Sequence, residues 1–155
     1  MDEIDRSGFN NVPYFRRVDK PWGWEEIFTP HDSPYTGKIL HIEAGRKLSL
    51  QAHLGDISQE GGKIETLRLE AGRCLYVSED SEGMLSETEM ESGKGYTVQP
   101  GQKHRLVGIT DCRVFEVSTP ESGRTRRFED DYKRADETKE MRKEPNRGWG
   151  NPDVK

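Results

Sequence analysis

The sequence predicts an all-β domain of the sandwich or barrel class. Short stretches of alternating apolar and polar residues recur through the middle of the chain, and glycine or proline turns separate them. Before residue 128 we find no convincing helical pattern. The length of 155 residues fits one domain. Because 30% of the residues are hydrophobic and 34% are charged, the core must be small and the loops and ends polar.

The first predicted element is a polar arm, residues 1–20, which has little apolar pattern and is expected to pack on an edge or on a neighbour. An aromatic turn at 21–24 leads into a strand near 24–28, and 30–37 form a loop by composition. The following strands are predicted at 38–42, 48–53, 64–69, 73–77, 84–90, 96–98, 104–107 and 113–117.

The highly charged end of the chain differs in character from the strands. A short helix is predicted around residues 131–141, and a loop or linker rich in proline, glycine and asparagine over 144–155. The predicted organisation is therefore an arm over 1–20, a barrel over 21–134 and a charged tail over 135–155.

Charge and composition exclude several classes of protein. The net charge of −5 disfavours a nucleic-acid-binding protein. The sequence contains no run of about 18 apolar residues, so no membrane span is predicted. The acidic N-terminus does not resemble a signal peptide. Cys74 and Cys112 are interpreted as buried free thiols, with a disulfide as the alternative. A cytoplasmic location is expected.

Four residues form a candidate metal site. Gln51 and His53 are two apart on a predicted strand, so both side chains point to the same face. Glu65 opens the next strand, and His104 follows the turn at Pro100 and Gly101. Imidazole, carboxylate and amide ligands suit a divalent metal, with Zn as first choice and Fe, Mn, Ni or Co as alternatives. The alternative is that neither histidine binds a metal and that each is either hydrogen-bonded within the protein or exposed to solvent.

The spacing of these residues resembles the two motifs of the cupin superfamily. Glu65 is followed by six residues and then Gly72, as in the first motif. The frame of the second motif is filled by Gly93, Gln99, Gly101 and His104, with glutamine where proline is usual. The resemblance implies a small jelly-roll barrel with the metal inside.

Within the cupins, the chain is similar to the mannose-6-phosphate isomerase group over roughly residues 17–134. The matching segments are KPWGWEE at 20–26, LSLQAH at 48–53, VQPGQKHR at 98–105, EVSTP at 116–120 and RFEDDY at 127–132. The pattern also departs from that group. Eleven residues separate His53 from Glu65, which predicts an inserted loop over about 55–63, and Glu60 within it is a rival ligand. The basic residue usual shortly after the ligand histidine is expected to be missing.

The resemblance implies a metal-dependent aldose–ketose isomerase acting on a sugar or sugar phosphate. Such an enzyme needs a base, and Glu116 is the candidate, because it lies on the same face of its predicted strand as Val114 and Ser118. The predicted anion contacts are Arg105, also counted as catalytic, together with Lys47 and Arg127. Trp22 is a candidate for stacking on a sugar ring, although such residues are more often core.

Two other readings remain open from the sequence. One is a different cupin metalloenzyme, such as a dioxygenase, epimerase or lyase, because fold does not fix function. The other is a non-catalytic module that binds a sugar or another small molecule. The resemblance also implies a homodimer, in which the arm over residues 1–20 could be exchanged.

Overall fold

The computed structural model describes residues 3–148, which form eleven β-strands in two antiparallel sheets. In chain order the strands are β1 (Arg16–Lys20), β2 (Gly23–Ile27), β3 (Thr36–Ile42), β4 (Leu50–Leu54), β5 (Glu65–Ala71), β6 (Cys74–Glu79), β7 (Leu85–Glu89), β8 (Gly95–Val98), β9 (His104–Gly108), β10 (Cys112–Ser118) and β11 (Arg124–Glu129). Two short 3₁₀ turns follow at Met141–Lys143 and Pro145–Gly148. The predicted all-β class is confirmed.

Each sheet combines strands that are distant in the sequence. One sheet has the order β1-β2-β3-β10-β5-β8, and the other has the order β11-β4-β9-β6-β7. β10 lies between β3 and β5 and pairs with both of them. β4 lies between β11 and β9. The two sheets face each other across one interior, as a jelly-roll sandwich requires.

The apolar part of this interior is built from inward-facing residues of both sheets. Its buried members are Trp22, Leu40, Ile42, Leu67, Leu69, Cys74, Tyr76, Met90, Val98, Leu106, Cys112 and Val114. Both cysteines are free and buried, which agrees with the free-thiol interpretation. Within residues 3–148, no helix is long and apolar enough to cross a membrane.

The structure differs from the prediction at both ends of the barrel. Residues 16–20, predicted as part of a polar arm, form β1 and pair with β2, and Val18 is the buried residue that anchors them. β11 was not predicted, because its polar sequence has too weak an apolar alternation. The barrel therefore begins before residue 21.

The predicted helix over 131–141 is not formed. Lys133 has a positive φ of 54°, which interrupts a right-handed helix. Glu137 instead pairs with Thr125 in an isolated β-bridge, and Arg142 donates to the backbone oxygens of Glu121 and Gly123. These contacts fasten the charged segment to one end of the barrel. Of the predicted linker over 144–155, the part from residue 149 onward lies outside the described residues.

Candidate metal centre

Three strands bring three of the predicted ligands together inside the barrel. His53 lies in β4 and His104 begins β9 in one sheet, whereas Glu65 begins β5 in the facing sheet. One ligand atom from each residue can be chosen so that all lie within 4.8 Å of one another. Each of the three residues is only 3% exposed. The cluster therefore joins the two sheets at a buried point.

The hydrogen bonds of His104 show which of its nitrogens is available. Nδ1 lies 2.9 Å from the carbonyl oxygen of Gln102. Because a carbonyl only accepts, Nδ1 must carry the hydrogen, and in the neutral ring Nε2 keeps a lone pair. That Nε2 lies 2.9 Å from Oε1 of Glu65. Two acceptors that face each other at this distance repel unless a cation, which is either a metal ion or a second proton on the imidazole, lies between them.

His53 faces the same carboxylate oxygen. Its Nε2 is 3.5 Å from Oε1 of Glu65, and its Nδ1 is 3.2 Å from Oγ1 of Thr125. Among the described residues, neither the Nε2 of His53 nor that of His104 has a hydrogen-bond partner, although both are buried. A metal ligated by Nε2 with Nδ1 held by the protein is the usual arrangement for histidine. The three residues therefore fit a divalent metal.

The protonation states also suit metal ligands. Burial lowers the pKa of His53 to about 4, and the ammonium group of Lys63 adds to this effect, so the imidazole is neutral. Burial alone would raise the pKa of Glu65, but the positive charge of Lys63 outweighs burial and holds this pKa well below its usual range. A neutral imidazole and an ionised carboxylate are the forms that bind a metal.

Gln51 lies beside this cluster and lines the same cavity. It is paired in register with His104, and its Oε1 accepts a hydrogen bond of 2.7 Å from the hydroxyl of Ser49. Its role as a fourth ligand stays a prediction.

The cavity around the cluster has a volume of about 50 Å³ and a highly charged wall. Within residues 3–148, the cations that line it are Lys20, Lys38, Lys63, Arg127, Arg134 and Arg147. Each of the six lies within 4.0 Å of a carboxylate oxygen. The buried charges therefore compensate one another in a connected network, in which Glu137 and Lys63 each contact several partners.

Glu116, the predicted base, lies in the wall of this cavity and is buried. Lys63 is 3.2 Å and Lys38 is 3.7 Å from its Oε2, and Ser118 donates a hydrogen bond of 3.0 Å to the same atom. Burial and the negative charge of Glu65 raise the pKa of Glu116 to about 7. A carboxyl group of this kind can take up and return a proton near neutral pH.

Of the four remaining predicted site residues, two line the cavity and two do not. Trp22 and Arg127 line the cavity, but Trp22 also packs in the apolar core, and Arg127 is engaged by the oxygens of Ala135 and Glu137. Arg105 and Lys47 are not among the residues that line it.

The structure corrects the roles predicted for Arg105 and Lys47. Arg105 directly follows the inward-facing His104, so strand alternation turns it to the opposite side. There it donates to the backbone oxygen of Leu48 and to Glu129, at 3.0 Å each. Lys47 lies 3.5 Å from Asp131. Both side chains stabilise loops around the barrel and do not contact the cavity.

The structure also places in the cavity a basic group that was not among the predicted site residues. The inserted segment ends at Lys63, whose ammonium group enters the cavity 2.7 Å from Oε2 of Glu65. The sequence contained a signal for this position of Lys63, because Lys63 is two residues before Glu65 and an extended chain places both side chains on one face. Lys38 and Glu25 were missed for a different reason, since their partners come from distant parts of the chain.

Comparison with known proteins shows the fold. No family model and no curated protein matches this chain. Among solved structures, a variant of Bacillus subtilis oxalate decarboxylase is similar with a TM-score of 0.59 at 13% identity, covering 76% of this chain and 32% of that one. Lactobacillus farciminis oxalate decarboxylase in a formate complex gives 0.59 at 17%, covering 76% and 35%.

A third structure, from a study of the Mn(II) centres of Bacillus subtilis oxalate decarboxylase, gives a TM-score of 0.57 at 12% identity and covers 76% of this chain and 32% of that one. The chain thus spans about a third of the length of these proteins. At such identities the likeness concerns the fold, which is the cupin jelly roll. The finer resemblance to mannose-6-phosphate isomerases receives no support from these structures.

Proposed function

We propose that this protein is a metal-dependent cupin enzyme that moves a proton on a small, oxygen-rich substrate held inside the barrel. The observation that carries the proposal is the buried meeting of His53, Glu65 and His104, in which unpaired Nε2 atoms face a carboxylate oxygen. Buried polar atoms without partners are costly, and a bound cation would satisfy all three residues at once.

The residues around the cluster suggest how the work is divided. His53, Glu65 and His104 would hold a divalent cation, which would supply Lewis-acid chemistry toward a carbonyl or carboxylate oxygen of a ligand. Glu116 acts as the general acid–base, since it is buried in the cavity wall with its pKa raised to about 7. Ser118 and Lys63 hold Oε2 of Glu116 and so leave Oε1 to exchange the proton.

The size of the cavity favours a small substrate. About 50 Å³ accommodates roughly three to five water molecules, whereas sites for drug-sized ligands occupy about 300–1,000 Å³. The similar solved structures are oxalate decarboxylases. Small hydroxy- and oxo-carboxylic acids are therefore the first substrates to test, and the reaction class is that of a lyase or epimerase.

An aldose–ketose isomerase is the second candidate. A base beside a metal site is also what this reaction requires, and the segment at 48–53 favours it by resemblance. However, every cation that lines the cavity within the described residues already contacts a carboxylate. A substrate phosphate would have to displace one of these carboxylates.

The identity of the metal also belongs to the proposal. Two imidazoles, one carboxylate and an amide form a mixed nitrogen and oxygen set that accepts Zn, Fe, Mn, Ni or Co. Zn was the first choice from the sequence, and the Mn(II) centres named for the Bacillus subtilis oxalate decarboxylase make Mn an equal candidate. Elemental analysis of protein purified without added chelator decides between them.

The experiment is proton NMR in heavy water with protein loaded separately with Zn²⁺ and Mn²⁺, the paramagnetic Mn²⁺ being removed before the spectra are taken. The substrates are small hydroxy- and oxo-acids together with mannose 6-phosphate. We expect loss of a C–H signal beside a carbonyl or carboxylate, or release of carbon dioxide. The Glu116→Gln variant should keep the metal and lose the reaction. Stoichiometric metal with no reaction in any sample would favour a binding module over an enzyme.

A further inference from the structure

Lys63 has an unusual position for a lysine, since its ammonium group is buried among three carboxylates. Nζ lies 2.7 Å from Oε2 of Glu65, 2.8 Å from Oε1 of Glu121 and 3.2 Å from Oε2 of Glu116. An ammonium group has three hydrogens to donate. Two of these contacts are hydrogen bonds, to Glu116 and Glu121, and the third is an ion pair with Glu65, so three carboxylates together hold the ammonium group at this place.

The choice of oxygen atoms in Glu65 is the informative detail. Lys63 contacts Oε2, whereas the two histidine nitrogens face Oε1. A carboxylate can bind a metal through one oxygen or through both. With Oε2 held by an ammonium group, only Oε1 is directed at the position that a metal would take.

The inserted segment is folded so that it delivers Lys63 to this point. Gly62 packs against β4 so closely that a Cβ atom there would lie 2.5 Å from the backbone oxygen of His53. Gly55 accepts no side chain either, because a Cβ atom would lie 1.9 Å from the oxygen of Glu60. The segment therefore turns back on itself and returns the chain beside His53, one residue before Lys63.

We propose that Lys63 is a positioning residue that keeps Glu65 a single-oxygen metal ligand and thereby preserves an open coordination position for the substrate. This inference rests on the proposed metal centre. A metal that retains an open position can catalyse, whereas a site whose positions are all taken by the protein is structural. Lys63 would thus decide which of the two kinds of site the cluster forms.

The other two carboxylates do not depend on Lys63 to the same degree. Glu116 also lies 3.7 Å from Lys38, and Glu121 also lies 2.8 Å from Arg147 and 3.3 Å from Arg142. Within the described part of the chain, Glu65 contacts no lysine or arginine except Lys63. Loss of Lys63 therefore acts first on Glu65, and its freed Oε2 can turn to the metal.

The test uses the full chain loaded with Co²⁺, whose visible absorption reports coordination number, and azide, a small anion that occupies open metal positions. In the wild type, azide should change the Co²⁺ spectrum. In Lys63→Gln, the absorption should weaken as Glu65 binds through both oxygens, and the apparent affinity for azide should fall about 10–100-fold. Lys63→Arg, which restores a cation at this place, should recover the azide response.

Lys38→Gln is the matched control, since it removes a second buried lysine of the same network that does not contact Glu65. It should keep the wild-type Co²⁺ spectrum and azide response. If Lys63→Gln does not fold, the double variant Lys63→Gln/Glu116→Gln removes one charge of each sign and should show the same loss. An unchanged spectrum and azide response in the folded variant would overturn the role of Lys63. A wild type that binds no Co²⁺ would instead overturn the metal centre itself.

Discussion

The interior of this barrel has two layers that are equally buried and chemically opposite. On β3, β5 and β10 the inward-facing positions change from charged to apolar within one strand. The charged positions are Lys38, Glu65 and Glu116. The apolar positions, each two residues away on the same strand and the same face, are Leu40, Leu67 and Val114. All six are at most 3% exposed.

The difference between the layers indicates where function lies. Burying apolar side chains stabilises the fold, by about 25 cal/mol per Å² of area removed from water. Buried ion pairs contribute much less, because the loss of hydration opposes their attraction, and apolar replacements are often neutral or better. Stability alone therefore does not explain a layer of paired lysines, arginines and glutamates. The proposed metal centre, which would need fixed charges around it, accounts for such a layer.

The largest expected effect on stability comes from the apolar layer. Leu67→Ala removes a side chain that is 1% exposed, and the cavity it leaves should lower the free energy of unfolding by about 2–5 kcal/mol. Urea denaturation of the metal-free protein measures this. The Co²⁺ spectrum of the folded variant should stay that of the wild type, although Leu67 follows Glu65 on the same face of β5. A changed spectrum would mean that the two layers are mechanically coupled.

Local patterns in the sequence predicted most of the strands, and the resemblance to the cupin motifs supported the four candidates for the metal. Period-two alternation is a property of neighbouring residues, so it placed Gln51 and His53 on one face correctly. The same rule should have placed Arg105 opposite to His104, and the expectation of an anion contact there was wrong for that reason.

The charged layer was largely invisible in the sequence because pairing across the sheets creates it. Lys38 meets Glu116 through the pairing of β3 with β10, about half the chain apart. The charged segment after residue 130 was predicted to be helical, yet the ion pairs of its Glu137 with Lys20 and Arg127 of the barrel override helix propensity. The homodimer stays a prediction.

An intermediate effect is expected from acid within the charged layer. Burial alone would raise the pKa of Glu25, but the ammonium groups of Lys38 and Lys20 lower it from 4.5 to about 2. A carboxylate with a lowered pKa in the folded state stabilises the protein above pH 4.5, and this contribution disappears as the pH falls toward 2. The full contribution corresponds to about 3 kcal/mol.

Glu25→Gln isolates that contribution. The variant should be less stable than the metal-free wild type by up to about 3 kcal/mol at pH 7, and the difference should shrink steadily between pH 4.5 and pH 2. Urea denaturation at a series of pH values measures it. A difference that is the same at every pH would show that Glu25 contributes by packing and not by charge, and the contrast between the layers would weaken.

The smallest effect on the metal-free fold is expected from His104→Ala. The substitution leaves a cavity, but it also removes one of the acceptors that face the carboxylate of Glu65; because these effects oppose each other, the free energy of unfolding in chelator should change by no more than about 1 kcal/mol. The response to metal should change completely. Zn²⁺ at a hundred times its dissociation constant should stabilise the wild type by about 2.7 kcal/mol, and it should leave His104→Ala unaffected. His31→Ala, which removes an exposed histidine from a loop, should keep the wild-type response. If chelated His104→Ala instead lost as much stability as Leu67→Ala, His104 would belong to the structural core, and the two layers would serve one purpose.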